Sequence, residues 1–151
     1  PRALSVEEEE RLGVTLVGID ELLGQSDFIS LHPSLNDETH HLISTRQFAL
    51  MKRTAFLINT SRGPVVDEPA LARALSEGRV AGAGIDVYEH EPKIEPALLT
   101  MENMVLTPHL GSAVMELRES MAHVVVDNIA AIAAGNEPPN CINPTVFAPG
   151  A

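Results

Sequence analysis

Three polar residues that could act together on one small molecule each follow an apolar stretch of the sequence. Arg62 follows "AFLINTS", Glu91 comes shortly after "AGAGIDV", and His109 ends "NMVLTPH". In an open parallel sheet, ligands bind beyond the carboxyl ends of the strands. If the three stretches are neighbouring strands, a cation, a carboxylate and an imidazole therefore meet at one edge of the sheet.

These side chains suit hydride transfer at an alcohol carbon or a carbonyl. When a keto acid is reduced, its carbonyl oxygen gains negative charge, so a positioned proton donor such as His109 is needed. A neighbouring carboxylate favours the protonated imidazole, and Glu91 is the candidate for that role. Arginine offers a planar, permanently charged fork to the carboxylate of the substrate, which is the role we predict for Arg62.

Each of the three residues also fits an ordinary structural role when it is taken alone. A loop arginine is usually a solvated charge or a surface ion-pair partner. The segment "EHEP" is compatible with an exposed acidic turn, and a histidine after Pro108 is compatible with the edge of a sheet. The joint site is favoured because chance must otherwise place all three residues after successive strands.

Apolar, β-branched stretches alternate with segments of helical period along the chain. This order predicts a parallel α/β sheet flanked by helices. Most of the stretches are apolar throughout, which is typical of strands covered on both faces. The predicted strands are residues 13–18, 27–32, 55–60, 81–87 and 103–109.

Four helices are predicted from their end signals and their period. The end signals are Asp20, a capping box of Ser44 and Gln47, Asp67 with Pro69 in the first turn, and Gly78 as a stop. A long final helix is predicted over about 112–134. Its apolar stripe consists of Val114, Leu117, Met121, Val124 and Ile132.

The composition indicates one compact domain that binds neither nucleic acid nor membrane. The chain has 151 residues, 44% of them hydrophobic, and a net charge of -11. So acidic a surface opposes binding to nucleic acid or an anionic bilayer, and no apolar run is long enough to span a membrane. A single cysteine, Cys141, and an acidic start favour the cytoplasm over an oxidising compartment.

Four motifs in register resemble the D-isomer-specific 2-hydroxyacid dehydrogenases over nearly the whole chain. They read "ELLGQSDFISLHPSLNDETHHLI", "MKRTAFLINTSRGPVVDEPAL", "GRVAGAGIDVYEHEP" and "NMVLTPHLGSA". The resemblance implies a Rossmann-type fold and hydride transfer between a nicotinamide and a small 2-keto or 2-hydroxy acid. It also implies that Arg62 binds the substrate's carboxylate and carbonyl, that Glu91 partners the histidine, and that His109 is the general acid/base.

The same resemblance implies contacts to a bound NAD or NADP. Asp86 matches the aspartate that holds the nicotinamide amide, and Arg2 resembles the arginines that receive the 2′-phosphate of NADP. The other implied cofactor contacts are His32, Pro33, Thr39, Thr60, Ser61, Arg62, His109, Gly111 and Ser112. Taken alone, Asp86 also fits a strand-end cap and Thr39 a helix start.

One motif of this family is missing from the sequence. The glycine-rich G-x-G-x-x-G loop, which holds the pyrophosphate at a helix N-terminus, should precede the four motifs. The chain is therefore expected to be a fragment that starts after the second strand and binds cofactor weakly alone. We expect the second part of a dinucleotide-binding domain at 1–111, a long helix at 112–135 and a tail at 136–151.

Several assignments stay open from the sequence. The segment "PHLGSA" and the short connection before it resemble the glyoxylate/hydroxypyruvate reductase branch, and the family resemblance implies a homodimer. A cofactor-sensing binding module of the co-repressor type shares the fold, and phosphite oxidation is also compatible, whereas Glu91 argues against formate oxidation. No metal site is predicted, because the adjacent His40 and His41 lack the i, i+4 spacing of a helical zinc pair.

Overall fold

The protein, described over residues 4–147 by a computed structural model, divides into two compact units between Pro108 and His109. The first unit holds a four-stranded parallel sheet. Its strands lie side by side in chain order: β1 (Phe28–Leu31), β2 (Phe56–Asn59), β3 (Gly82–Ile85) and β4 (Met104–Leu106). Parallel strands with flanking helices confirm the predicted Rossmann-type α/β fold.

Five α-helices accompany the sheet within the described residues. They are α1 (Val6–Leu12), α2 (Ile19–Gln25), α3 (Thr45–Leu50), α4 (Glu68–Ser76) and, in the second unit, α5 (Met115–Ala133). Short 3-10 helices lie at Gly63–Val65, Leu98–Thr100 and Pro144–Phe147. No helix within residues 4–147 is both long and apolar enough to cross a membrane.

The predicted N-caps of α3 and α4 are confirmed. Ser44 precedes α3, and its backbone N–H donates to Gln47 Oε1 at 3.3 Å. Asp67 precedes α4 and accepts from the backbone N–H of Ala70 at 2.9 Å. The Ser44 hydroxyl also donates to Asp67 Oδ2 at 2.7 Å, so one hydrogen bond ties the starts of the two helices together.

The prediction of a strand over residues 13–18 is wrong. This segment runs as an irregular connection in which Val14, Leu16 and Val17 are exposed. A strand needs a neighbour for its backbone N–H and C=O groups, and residues 4–147 provide none beside this segment. The following helix also begins at Ile19, with Gly18 rather than Asp20 as its N-cap.

The hydrophobic core lies on one face of the sheet. Its largest contributions from the sheet and from α3 and α4 are Ile29, Leu31, Leu57, Ile85, Phe48 and Leu71. On the other face, the rings of Phe28 and Phe56 stack with their centroids 5.6 Å apart and stay 72% and 42% exposed. The prediction that the strands are covered on both faces is therefore wrong for the described residues.

The second unit is built around α5. The helix buries none of its side chains, so the whole of the predicted apolar stripe is exposed. It begins later than predicted, at Met115, because the preceding residues form a turn in which the Ala113 N–H donates to Leu110 O at 2.8 Å. After the helix, the chain folds back so that the Asn140 N–H donates to Asn128 Oδ1 at 3.1 Å.

Candidate active site

A groove of about 480 Å³ opens beyond the carboxyl ends of β1 and β2. It is lined by His32, Pro33, Ser34, Leu35, Thr60, Ser61 and Arg62. This is the edge of the sheet at which ligands of open α/β folds bind. The groove therefore brings together most of the residues from the first two strand ends that the sequence marks as ligand contacts.

Asn59, the last residue of β2, shapes the turn that carries Arg62. Its side chain is 1% exposed and makes three hydrogen bonds within the turn. Asn59 Oδ1 accepts from the Ser61 backbone N–H at 3.1 Å and from the Ser61 hydroxyl at 2.8 Å, and Asn59 Nδ2 donates to Arg62 O at 3.0 Å. Because these hydrogen bonds pair the buried amide of Asn59 with the turn, they hold the backbone from Asn59 to Arg62 in one conformation.

The Arg62 side chain is exposed at the groove. Its Nη1 donates to Ser61 O at 2.6 Å, which restrains the guanidinium beside its own turn. A guanidinium carries five N–H donors in a planar fork, so the group can hold a carboxylate while keeping this contact. Arg62 thus has the chemistry and the position for binding an organic acid.

The turn of Arg62 is packed directly against the loop that follows β3. A Cβ atom built on Gly63 would lie 1.9 Å from both the carbonyl carbon and the oxygen of Tyr88, which is far inside contact distance. Only a residue without a side chain permits this approach of two backbones. The contact couples the loop of Arg62 to the loop of Glu91.

Glu68 binds backbone N–H groups of the same loop. Its carboxylate is buried, with 4% of the residue exposed, and accepts from the backbone N–H groups of Glu89 at 2.7 Å and Glu95 at 3.1 Å. Charge-assisted hydrogen bonds of this kind are stronger than neutral ones. The loop from Glu89 to Glu95, which contains Glu91, is therefore tied to the first turn of α4.

Glu91 and Tyr88 are joined within this loop. The Tyr88 backbone N–H donates to Glu91 Oε1 at 3.0 Å, and the Tyr88 hydroxyl donates to Thr107 O at 2.8 Å. Burial raises the pKa of the Tyr88 phenol above its ordinary value, and the negative charges of Asp86, Glu68 and Glu91 raise it further. The phenol is therefore a neutral donor that anchors the loop to the end of β4.

Asp86 follows β3 beside the turn of Asn59. Its backbone N–H donates to Asn59 O at 3.0 Å, and its Oδ1 accepts from the Thr107 hydroxyl at 2.6 Å. Thr39 has a different setting, because its hydroxyl donates to Ser34 O at 2.7 Å and accepts from the Asn36 N–H at 2.8 Å. Thr39 thus closes a local turn and is not among the residues that line the groove.

A comparison with protein-family models identifies the family of this chain. The sequence model described as D-isomer specific 2-hydroxyacid dehydrogenase, NAD binding domain, matches residues 1–111. The chain belongs to this family. All residues that line the groove lie within the matched range.

Curated relatives of this chain include a glyoxylate reductase and a glyoxylate/hydroxypyruvate reductase. It is 50% identical over 146 residues to a glyoxylate reductase of Thermococcus litoralis, covering 97% of this chain and 44% of the relative. It is 48% identical over 141 residues to glyoxylate/hydroxypyruvate reductase B of Escherichia coli, covering 93% of this chain and 44% of the relative. The chain thus spans less than half the length of these relatives.

Solved structures of two reductases share the fold. A glyoxylate reductase from Paecilomyes thermophila superposes with a TM-score of 0.79 at 42% identity, covering 90% of this chain and 41% of that structure. An NADPH-dependent glyoxylate/hydroxypyruvate reductase from Sinorhizobium meliloti, solved with NADP and malonate, gives a TM-score of 0.72 at 35% identity. That match covers 75% of this chain and 35% of the other.

The remaining predicted site residues are not among those that line the groove of the first unit. His109 opens the second unit with a backbone φ of 54°, and Gly111 and Ser112 follow it. Arg62, Asp86 and Glu91 belong to the first unit, so their meeting with His109 stays a prediction. Arg2 lies outside the described residues.

Two residues that organise the site were not predicted. Asn59 and Glu68 are buried polar residues whose partners are backbone N–H and C=O groups of the site loops. An asparagine that ends an apolar strand was a usable signal for the first. Glu68 had no such signal, because its partners lie 21 and 27 residues away along the chain.

Proposed function

We propose that the protein containing this chain is an NAD(P)-dependent oxidoreductase that transfers a hydride between a nicotinamide and a small 2-keto or 2-hydroxy acid. Glyoxylate and hydroxypyruvate are the favoured substrates, because the curated relatives are reductases of these acids. The observation that carries the proposal is the placement of Arg62 at the groove, on a turn that Asn59 fixes and Gly63 packs against the loop of Glu91.

The groove of the first unit fits a nicotinamide cofactor. Its lining offers hydroxyl and imidazole groups from Thr60 and His32, which suit the ribose and amide groups of a dinucleotide. Asp86 would hold the nicotinamide amide, and Arg2 would receive the 2′-phosphate if the cofactor is NADP. When bound, the reduced cofactor supplies the hydride.

The residues of this chain would bind the acid and move the proton. Arg62 holds the substrate's carboxylate and carbonyl through its planar fork. His109 donates a proton to the carbonyl oxygen as that oxygen gains negative charge, and takes the proton back in the reverse direction. Glu91 is the proposed partner of this imidazole and would stabilise the imidazolium formed during proton transfer.

The proposal is tested by oxidation of NADH and NADPH by the full-length protein with glyoxylate, hydroxypyruvate and pyruvate. We expect Arg62→Lys to lower kcat/KM by roughly 30- to 100-fold, since a bidentate charged contact becomes a single one. We expect His109→Asn to lower kcat by about 10²- to 10⁴-fold without weakening cofactor binding. Arg53→Lys, on an exposed residue that bonds Gly78 O, is the control and should leave both constants unchanged.

Two outcomes would contradict the proposal. Tight binding of cofactor without turnover of any of the three acids would instead support a cofactor-sensing binding module. Turnover that is equal in the wild type and in His109→Asn would remove His109 from its role as proton donor.

A further inference from the structure

A second cluster of polar side chains lies in the first unit and shares no residue with the groove. It consists of His40, His41 and Glu89, whose candidate ligand atoms all lie within 4.8 Å of one another. The closest pair is His41 Nε2 and Glu89 Oε1, at 2.7 Å. The histidines belong to the connection after β1 and the glutamate to the loop after β3, so the cluster bridges two separate segments.

The backbone brings the two imidazoles to the same side. Residues 37–41 form a turn, and in it the rings of His40 and His41 have centroids 4.1 Å apart. This arrangement coincides with a φ of 51° at His41, in the left-handed region that residues with a side chain rarely adopt. The His41 N–H donates to Pro64 O at 2.7 Å, which holds the conformation.

Glu89 is also held in place before any ligand binds. Its backbone N–H is fixed by the buried carboxylate of Glu68, and the Glu89 side chain is partly buried. A cleft of about 580 Å³ adjoins the cluster, with four acidic residues in its lining, Asp67, Glu68, Glu89 and Glu95, against one lysine, Lys93. The carboxylates make this cleft a favourable place for a cation.

We propose that His40, His41 and Glu89 bind a divalent transition-metal ion of the zinc class. Imidazole nitrogen and carboxylate oxygen are the ligands that Zn²⁺ takes, and a set of three protein ligands leaves a fourth position for water. The ion would crosslink the connection after β1 to the loop that carries Glu91. Metal binding at this site does not depend on the proposed hydride transfer.

His40 is the residue that distinguishes a metal site from a simple ion pair. A pair of His41 and Glu89 accounts for the 2.7 Å contact but gives His40 no function. His40 is exposed, and its contact within the cluster is the tilted packing of its ring on that of His41. Its replacement should therefore leave the fold intact while removing one metal ligand.

The test is calorimetric titration of ZnCl₂ into the full-length protein, free of affinity tags and stripped with a chelator. We expect one saturable site, and a loss of affinity of roughly tenfold or more in both His40→Gln and Glu89→Gln. His90→Gln is the matched control, because His90 lines the same cleft but lies outside the cluster. Titration with Co²⁺ should give visible absorption bands in the wild type that His40→Gln alters.

The absence of saturable Zn²⁺ binding would overturn the proposal. So would binding that His40→Gln leaves unchanged, since the ion would then use other ligands. A loss of affinity in His90→Gln alone would reject the assigned ligand set. Retained circular dichroism in His40→Gln separates a lost ligand from a lost fold, and none of these readouts depends on turnover.

Discussion

The position of Glu91 depends on residues that lie behind the groove. Glu68 ties the backbone of its loop to α4, and Gly63 lets the turn of Arg62 approach Tyr88. Both contacts act on the backbone of the site loops, and neither of them uses the side-chain tip of Arg62 or Glu91. Pre-organisation of this kind is what a site needs to hold a small acid in one orientation.

Gly63→Ala should damage the site through packing alone. The added methyl group would lie 1.9 Å from Tyr88 backbone atoms, so one of the two loops must move. We expect a loss of about 1–3 kcal/mol in the free energy of unfolding, and a fall in kcat/KM of the full-length protein. The measurements are urea unfolding and steady-state kinetics.

Gly24→Ala provides the matched comparison. Gly24 lies inside α2, and its added Cβ would meet only Leu50 O, at an ordinary 3.9 Å. Alanine favours a helix over glycine by roughly 0.5–1 kcal/mol, so this variant should be as stable as the wild type or more stable. Equal stability of Gly63→Ala and Gly24→Ala would show that the loop contact at Tyr88 yields without cost.

At the scale of elements, the start of α4 carries a charge whose effect depends on pH. Burial alone would raise the pKa of Asp67, but hydrogen bonds from Ser44 and the Ala70 N–H, with the nearby His41 and Arg73, hold it below its ordinary 3.8. The folded state therefore prefers the ionised form. The ionised Asp67 therefore stabilises the fold above pH 3.8, and this stabilisation is lost as the pH falls through the lower pKa of the folded state.

Asp67→Ala should accordingly lower stability by an amount that shrinks in acid. We expect a loss of about 1–2 kcal/mol at pH 7, the usual effect of removing an N-cap, because the Ala70 N–H and the Ser44 hydroxyl lose their acceptor. Urea midpoints of variant and wild type should converge as the pH falls below 3.8. Asp37→Ala, on an exposed residue, is the control, and a difference for Asp67→Ala that persists in acid would contradict the role of its charge.

The elements that the sequence predicted well are those with local signals. Ser44 and Asp67 each cap a helix through atoms within three residues, so their patterns suffice. The strand predicted over residues 13–18 was wrong because a strand forms only beside a neighbouring strand. A local sequence pattern does not show whether that neighbour is present. The role of Glu68 and the contact of His41 with Glu89 were not predicted for the same reason, since the interacting residues lie far apart along the chain.

At the scale of the whole chain, apolar surface is left open on the first unit. Phe28 and Phe56 stack on the uncovered face of the sheet, and Phe28 lies on β1, an edge strand. Exposed apolar edges promote association between chains. The curated relatives are more than twice as long, so most of their sequence has no counterpart among these 151 residues.

Expressed alone, the 151-residue chain should self-associate through the face of Phe28 and Phe56. Phe28→Lys places a charge on an exposed edge strand, and we expect it to reduce the associated fraction in sedimentation velocity at equal concentration. Leu99→Lys is the control, because Leu99 is also exposed, at 59%, but lies on a 3-10 helix outside the sheet. This variant should change the associated fraction little. A monomeric wild-type chain that unfolds cooperatively would contradict this expectation, because its apolar face would then be tolerated in water. Association that both lysine variants reduce equally would assign it to overall charge rather than to the aromatic face.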